Sequence, residues 1–300
     1  MKVPQPIPYQ GSKRTLAPLI LKYFPEKVER LVEPFAGSAA ISIATALRTK
    51  AKNYWINDLN EPLIDLIEEM VNNPEKISSN YDALWNKQLG NEREFYKEVR
   101  ARFNSNFRTD DFLYVLARCV KGAVRYNTAG DFNQSPDNRR KGKLPSTMRN
   151  EIFHISNLLK NKTRFSAKNY SEIFRELGEH DLVYMDPPYQ GTSNKKDSRY
   201  LAGLNFDEFI SNLELLNLKN VPFLLSFDGK LGDKTYGNDL PTFLGLKKIM
   251  IEVGRSTTST LLGQSEITYE SLYISESLND IINCEIPSEE VLKPKQLQLL

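Results

Sequence analysis

Residues 181–191 read DLVYMDPPYQG, and this stretch decides the fold. The apolar run at 182–185 has the composition of a buried strand, and Pro187 and Pro188 end it because proline cannot donate to a sheet ladder. Asp186 and Tyr189 therefore follow directly after a strand. Since ligands of open α/β sheets bind at the carboxyl ends of the strands, the stretch predicts a rigid ligand-binding edge. The alternative is an ordinary turn that uses Asp as a turn residue.

Similar apolar runs recur along the chain, and most of them end in polar or small residues. Seven candidate strands result: 30–37, 54–58, 163–167, 181–189, 221–228, 246–253 and 269–275. Stretches with helical periodicity lie between most of them, including 39–47, 171–177 and 206–218. This alternation predicts an α/β fold with a largely parallel, doubly wound sheet of seven strands, and the polar connection at 254–268 suits an antiparallel closing pair.

The alternation is interrupted between the second and third strands. Residues 62–151 contain helical patterns and then the polar, basic segment RYNTAGDFNQSPDNRRKGK at 125–143. Seven basic and two acidic residues lie between positions 121 and 149, whereas the whole chain has a net charge of +2. Such concentrated charge favours a polyanionic partner, although a basic loop on a nearly neutral protein is the alternative. We therefore predict a discontinuous catalytic domain (1–61 and 152–285), a mainly helical insert (62–151) and a tail (286–300).

Composition excludes several classes of protein. The chain of 300 residues is 40% hydrophobic and 26% charged, as expected of a globular protein with a sizeable core. It contains no apolar run of roughly 18 residues, which a membrane span needs. Its start, MKVPQPIPYQGSKR, lacks the apolar core of a signal peptide, which predicts a cytoplasmic location. Two cysteines and two histidines share no metal-ligand spacing, so we predict no metal site.

The segment EPFAGSAA at 33–40 lies where the first strand should meet the first helix. Gly37 and the small residues after it allow a ligand close to the backbone, and Asp58, 21 positions later, can accept both hydroxyls of a ribose. A dinucleotide oxidoreductase would need G-x-G-x-x-G, and Glu33 would repel phosphates. A nucleoside with a positive group, such as S-adenosylmethionine, fits better. A tight turn followed by a capping Asp is the structural alternative.

In this order, EPFAG, Asp58 and DPPY resemble the Dam-like D12 class of DNA adenine-N6 methyltransferases. Further segments match the family: the aromatic-x-G-x-K pattern at 9–13, G-x-x-R-x-N at 122–127, and a G-x-F-N stretch that ends at Pro136. The resemblance covers about residues 5–275. It implies a Rossmann-like methyltransferase sheet with an inserted DNA-recognition domain, with S-adenosyl-L-methionine as cofactor and double-stranded DNA as substrate.

The resemblance also implies roles for individual residues. Asp186 and the carbonyl of Pro187 would hold the adenine amine, while Tyr189 would stack on a base extruded from the duplex. The expected cofactor-binding residues are Tyr9, Lys13, Phe35, Gly37, Asp58, Phe165 and Asp186. The expected DNA-binding residues are Lys121, Arg125, Asn127, Asn133, Arg139, Arg140 and Lys141, because Arg and Asn suit base edges and clustered Lys and Arg suit phosphates.

Several alternatives stay open at the sequence level. Cytosine-N4 methylation uses the same geometry, DPPY sites also occur in RNA adenine methyltransferases, and a catalytically silent DNA- or cofactor-binding module would keep the fold. Cytosine-C5 methylation is disfavoured because neither Cys119 nor Cys284 follows a proline. A restriction-modification or Dam-like system would supply the biological setting, with a cognate restriction endonuclease as a functional partner. The recognition sequence is not assigned, since 137–142 matches no pattern of known specificity.

Overall fold

The computed structural model describes residues 3–188, 204–231, 234–236, 239–255, 267–282 and 291–292. Within these ranges the chain forms a nine-stranded sheet in the order β3-β2-β1-β4-β5-β8-β7-β9, with β6 paired to β5 off this path. The strands are β1 Val28–Glu33, β2 Ala51–Asn57, β3 Thr163–Ser166, β4 Asp181–Met185, β5 Phe223–Leu231, β6 Lys234–Tyr236, β7 Lys247–Arg255, β8 Ile267–Ile274 and β9 Val291–Leu292.

The sheet is parallel from β3 to β5, and β8 inserts antiparallel between β5 and β7. The α/β class, the seven predicted strands and the antiparallel closing pair are thus confirmed, while the short strands β6 and β9 were not predicted. Arg30 lies opposite Asp181, so β1 and β4 are neighbours in the middle of the sheet. The strand order reverses between these two strands, and this switch point is where open α/β sheets bind ligands.

Helices cover both faces of the sheet. They are α1 Ala17–Ile20, α2 Ala40–Leu47, α3 Glu61–Asn72, α4 Pro74–Lys87, α5 Glu92–Asn106, α6 Thr109–Arg118, α7 Pro145–Leu159, α8 Tyr170–Glu176, α9 Phe206–Leu218 and α10 Glu276–Ile282. Consecutive strand residues point to opposite faces. Leu31 therefore joins a core cluster with α1 to α7, whereas Val32 joins a second cluster with α8 and α9.

The helices α3 to α7 lie between β2 and β3 and share one apolar cluster with the sheet. Between α6 and α7 the chain forms a hairpin-like excursion, in which Cys119 pairs with Pro136 and Tyr126 with Phe132 in antiparallel bridges. The predicted boundary at 151/152 falls inside α7. Because this core is continuous, the proposed division into a catalytic domain and a recognition insert stays a prediction.

Candidate active site

A cavity of about 450 Å³ opens at the carboxyl ends of β1, β2 and β4, beside the switch point. Its volume falls in the range of sites for small molecules and cofactors. The wall includes the N-terminal segment 9–13, the β1–α2 turn, residues 58–60 after β2, residues 168–170 after β3 and residues 186–188 after β4. Further parts of the wall come from the hairpin-like excursion, through Ala123, Val124 and Tyr126, and from the start of α9. The parallel topology thus gathers segments that are far apart in the sequence.

The β1–α2 turn brings the backbone close to the cavity. Gly37 has φ +50°, and a Cβ placed there would lie 3.0 Å from Cε1 of Tyr9, so the tyrosine ring packs directly on the glycine. Asp58 fixes the turn, since its Oδ2 accepts a hydrogen bond from the Gly37 amide at 2.9 Å and its Oδ1 accepts one from the Asn60 amide at 3.0 Å. Burial raises the pKa of Asp58, while these two amide donors oppose the rise.

Asn57 joins the ends of three strands beneath the cavity and is fully buried. Its amide group donates to the carbonyls of Pro34 and Lys168, both at 2.9 Å. Its Oδ1 accepts from the Ser166 hydroxyl at 2.7 Å and from the Lys168 amide at 2.9 Å. One side chain therefore fixes the relative positions of the residues that follow β1, β2 and β3.

Glu33, the last residue of β1, places a second carboxyl group in the cavity wall. It is 2% exposed and accepts a hydrogen bond from the Ser42 amide at 2.7 Å, in the first turn of α2. Burial, with a smaller contribution from the nearby charge of Asp186, raises the pKa of Glu33 to about 7. The cavity therefore holds several carboxyl groups, a composition that favours a cationic ligand over a pyrophosphate.

Asp186 follows β4 at the mouth of the cavity, and Pro187 behind it is buried. Oδ1 of Asp186 lies 2.8 Å from Nζ of Lys13, and the same Nζ lies 3.6 Å from Oε2 of Glu270. Lys13 is only 6% exposed. Lys13, which the sequence predicted to bind the cofactor, thus forms an ion pair with the residue that was predicted to hold the substrate amine.

Aromatic rings form another part of the wall. The centroids of the Phe35 and Tyr170 rings lie 5.2 Å apart, and Phe209 packs against both at 6.3 and 5.7 Å. The predicted role of Phe165 in cofactor binding is not supported by its position. It pairs in register with Ile56 and packs on the core cluster of α1 to α7 instead of lining the cavity, because alternation along β3 turns it to that face.

The structure brings most of the predicted site residues together. The cavity is lined by Tyr9, Lys13, Phe35, Gly37, Asp58, Asp186 and Pro187. Tyr189 lies outside the described residues. Sequence reasoning missed Asn60 and Tyr126, which also line the cavity and are joined by a hydrogen bond of 3.1 Å from the Tyr126 hydroxyl to Oδ1 of Asn60. The sequence NEP at 60–62 is a helix-capping signal that could have identified Asn60. Tyr126 lies in a polar segment, and no local pattern there indicates that its side chain is buried.

The predicted DNA-binding residues lie on the hairpin-like excursion and the loop that follows it. Lys121 and Asn133 are exposed and Arg125 is partly buried. Asn127 has a structural role, since its Oδ1 accepts from the amides of Ala129 and Asp131 and so closes the turn.

The loop ends in three exposed cations. Arg139, Arg140 and Lys141 have side chains that are 87%, 80% and 57% exposed. Asp137 lies 3.6 and 3.8 Å from the two arginines, and Glu92 lies 2.9 Å from the lysine. The predicted cluster of positive charge is therefore presented to solvent.

Over the part of the chain that the structure describes, no three His, Cys, Asp or Glu side chains are grouped so that they could hold a metal ion. No helix within the same ranges is both long and apolar enough to cross a membrane. The cytoplasmic location stays a prediction.

Comparison with known proteins identifies the family. The profile of the D12 class N6 adenine-specific DNA methyltransferases matches residues 9–240. The chain is 28% identical over 263 residues to the retron Ec67 DNA adenine methylase of Escherichia coli, covering 84% of this chain and 87% of that protein. It is 30% identical over 191 residues to the type II methyltransferase M1.LlaDCHI of Lactococcus lactis subsp. cremoris, covering 60% and 64%.

A solved rRNA methyltransferase from Streptomyces viridochromogenes aligns over 88% of this chain and 86% of its own, with 10% identity and a TM-score of 0.36, which is too low to support an argument. The family match instead spans the aromatic-x-G-x-K segment, the β1–α2 turn, Asp58, the hairpin-like excursion and the edge after β4. The chain therefore belongs to the D12 class N6 adenine-specific DNA methyltransferases.

Proposed function

We propose that the cavity binds S-adenosyl-L-methionine and that Asp186 and the Pro187 carbonyl orient the N6 amine of an adenine extruded from duplex DNA. The observation that carries this proposal is the position of Asp186, which follows β4 at the switch point and lines the same cavity as the β1–α2 turn and Asp58.

The donor and acceptor groups of the cavity fit this cofactor. Asp58 has two carboxylate oxygens, each with one amide donor, which leaves acceptor capacity for the hydroxyls of a ribose. Phe35 and Tyr170 offer an aromatic wall against which a purine would pack. Asp186, and Glu33 once it is ionised, would place negative charge near a sulfonium, and the cation Lys13 is already paired with Asp186. When bound, S-adenosyl-L-methionine supplies an electrophilic methyl group on a positively charged sulfur.

The residues after β4 would prepare the amine for attack. The lone pair of an adenine N6 is delocalised into the ring, so the amine is a weak nucleophile. Asp186 would accept one N6–H and the Pro187 carbonyl the other, which draws the nitrogen toward tetrahedral geometry and aims its lone pair at the methyl carbon. N6 would gain the methyl group as the methyl–sulfur bond breaks and leaves its electron pair on sulfur, and the proton released from N6 would pass to solvent. Prolines 187 and 188 keep the two acceptors fixed, and such positioning contributes at most roughly 7–11 kcal/mol to catalysis.

The base must leave the duplex to reach this site, because the amine is inaccessible inside the stack. The exposed cations Arg139, Arg140 and Lys141 provide phosphate contacts that would hold the duplex beside the cavity. The name of the Lactococcus relative, a type II methyltransferase, is consistent with a restriction-modification setting and with a cognate endonuclease as functional partner.

The proposal predicts the effect of Asp186→Ala. Removing the carboxylate should lower methyl transfer from labelled cofactor to duplex DNA by at least about 100-fold, as the loss of one preorganised polar group in an active site does. The affinity for S-adenosyl-L-methionine, measured by calorimetry, should stay within a few fold. Asp65→Ala, a change of an exposed residue on α3, serves as the matched control. Wild-type turnover by Asp186→Ala would remove this residue from catalysis.

A second experiment tests the base and the substrate. Sequencing of plasmid DNA from a host that expresses the chain should show N6-methyladenine at one short sequence, and Asp186→Ala should erase it. N4-methylcytosine at that sequence, or methylation of RNA alone, would favour one of the competing activities. Absence of any methyl transfer by the folded wild-type protein would favour the silent binding module.

A further inference from the structure

Glu270 lies beside the active site but on a strand from the far half of the sheet. It belongs to β8, where its cross-strand neighbours are Gly229 on β5 and Ile251 on β7. Because β8 is antiparallel to β5, its first residues lie at the edge where the parallel strands end. Glu270 therefore stands at the same edge as Asp186, on the face that also carries Leu272 and Ile274.

The surroundings of Glu270 provide little compensation for a carboxylate. Gly229 has no side chain, and a Cβ placed there would lie 2.5 Å from the carbonyl oxygen of Tyr269. Ile251 is buried and apolar. Oε2 of Glu270 is buried and has no hydrogen-bond partner among the described residues, and its neighbouring cation is Nζ of Lys13 at 3.6 Å. The side chain as a whole is 21% exposed, but its inward oxygen is shut off from water and is stabilised by a nearby cation, so Glu270 is held in a position that attracts Lys13.

Lys13 thus stands between two carboxylates, at 2.8 Å from Asp186 and 3.6 Å from Glu270. The proposed function gives Asp186 a second task, which is to accept a hydrogen bond from the substrate amine. An ammonium that remains tightly paired with Asp186 competes with that amine for the same oxygens. An ammonium has three donors and can shift toward a second acceptor without leaving the site.

We propose that Glu270 is a positioning residue for methyl transfer: it draws Lys13 away from Asp186 when the target amine arrives, so that Asp186 can accept the N6–H. This inference rests on the proposed role of Asp186. Glu270 itself does not contact the substrate. Its contribution depends on charge and on the distance to Lys13, and not on a contact with cofactor or DNA.

Glu270→Gln tests the inference, because glutamine keeps the size of the side chain and removes the charge. We expect the single-turnover rate of methyl transfer to fall on the order of tenfold, which is within the coupling range of side chains in direct contact. The dissociation constants for S-adenosyl-L-methionine and for duplex DNA should change less than about twofold. Glu270→Asp keeps the charge and should recover part of the rate. Glu214→Gln, an exposed change on α9, should transfer methyl groups at the wild-type rate.

A double-mutant cycle separates positioning from a structural role. If Glu270 acts through Lys13, then Glu270→Gln added to Lys13→Met should lower the rate no further than Lys13→Met alone. Independent, multiplicative losses would overturn the inference, as would a Glu270→Gln protein with a lower melting temperature and an unchanged rate. An inactive Asp186→Ala with a fully active Glu270→Gln would refute this inference alone, whereas an active Asp186→Ala would refute the proposed function.

Discussion

At the scale of single residues, the site depends on carboxyl groups that have the same chemistry but different surroundings. Asp58 receives two backbone amides, whereas Glu33 receives one and is shut off from water. Burial of each carboxyl group disfavours its ionised form and raises its pKa. The rise at Glu33 is large enough to bring the pKa of this residue near neutrality. Ionisation of Glu33 therefore opposes folding in the ligand-free protein.

This environment predicts a pH dependence of stability. The pKa of Glu33 is raised from 4.5 to about 7, so the folded state holds a proton that the unfolded state loses first. The contribution of Glu33 to stability is fully present below about pH 4.5 and is lost as the pH rises to about 7. The loss amounts to about 3 kcal/mol when the shift is converted at 1.36 kcal/mol for each pH unit.

Glu33→Gln should remove this dependence, since glutamine can still accept the Ser42 amide but carries no proton to lose. We expect the variant to gain about 3 kcal/mol relative to the wild type between about pH 4 and pH 8 in denaturant unfolding experiments. Taking the difference between two proteins cancels the titration of all other groups. Parallel stability curves for the two proteins would show that Glu33 ionises normally.

The sequence could place some residues at the site and not others, because local patterns do not encode contacts between distant segments. Gly37 and Asp58 follow adjacent parallel strands, so local pattern and spacing are sufficient to place them together. The Lys13–Asp186 pair joins residues that are far apart in the chain, and no local pattern contains that contact. Phe165 lies away from the cavity for a different reason, and its role in cofactor binding stays a prediction. Its strand was predicted correctly, but the face it occupies depends on what the inserted helices cover.

At the scale of elements, the strong signals were the apolar runs, and all seven became strands of the Rossmann-like methyltransferase sheet. The strands β6 and β9, with three and two residues, are too short to show an alternating pattern. The hairpin-like excursion is held at its base by contacts that no periodicity encodes. There the Gln10 amide donates to the Gly122 carbonyl at 3.0 Å, which joins the excursion to the N-terminal segment.

Substitution of Gly122 tests the importance of this contact between the excursion and the N-terminal segment. The φ of Gly122 is +59°, and a Cβ would lie 2.7 Å from the backbone carbon and oxygen of Pro8. Gly122→Ala should therefore lower the free energy of unfolding by roughly 2–4 kcal/mol, combining left-handed strain with overpacking. Because the displaced segment leads into Tyr9 and Lys13, the affinity for S-adenosyl-L-methionine should fall as well.

Gly130→Ala is the matched control, because it introduces the same left-handed backbone strain without a steric clash. Gly130 lies in the same excursion with φ +86°, and a Cβ there would have no atom within 4 Å. Its replacement should cost about 1 kcal/mol of stability and leave cofactor affinity unchanged. Equal losses for the two variants would mean that Pro8 moves aside without cost and that the junction does not tie the segments together.

At the scale of the whole molecule, one continuous segment of chain connects the cavity to the basic loop. Ala123, Val124 and Tyr126, at the start of the excursion, line the cavity, and its end leads into the cations at 139–141. The net charge of +2 conceals this arrangement, since the local excess is balanced elsewhere. Composition alone could predict a polyanion partner, and the folded chain shows that the side chains of the three cations at 139–141 are presented to solvent.

Salt dependence measures how many of these charges contact phosphates. Each phosphate contact contributes about 0.9 to the slope of log K against log salt, so replacing Arg139, Arg140 and Lys141 by alanine should reduce the slope by up to about 3. The control replaces Lys22, Lys27 and Arg48, which are exposed; Lys27 and Arg48 lie just before β1 and β2, at the opposite edge of the sheet from the cavity. Both triple variants lose the same formal charge, so any difference between their slopes reflects position. Fluorescence anisotropy with one duplex over a series of salt concentrations provides both slopes. Equal slopes for the two variants would mean that the loop at 139–141 makes no phosphate contact and that the duplex is held by another surface.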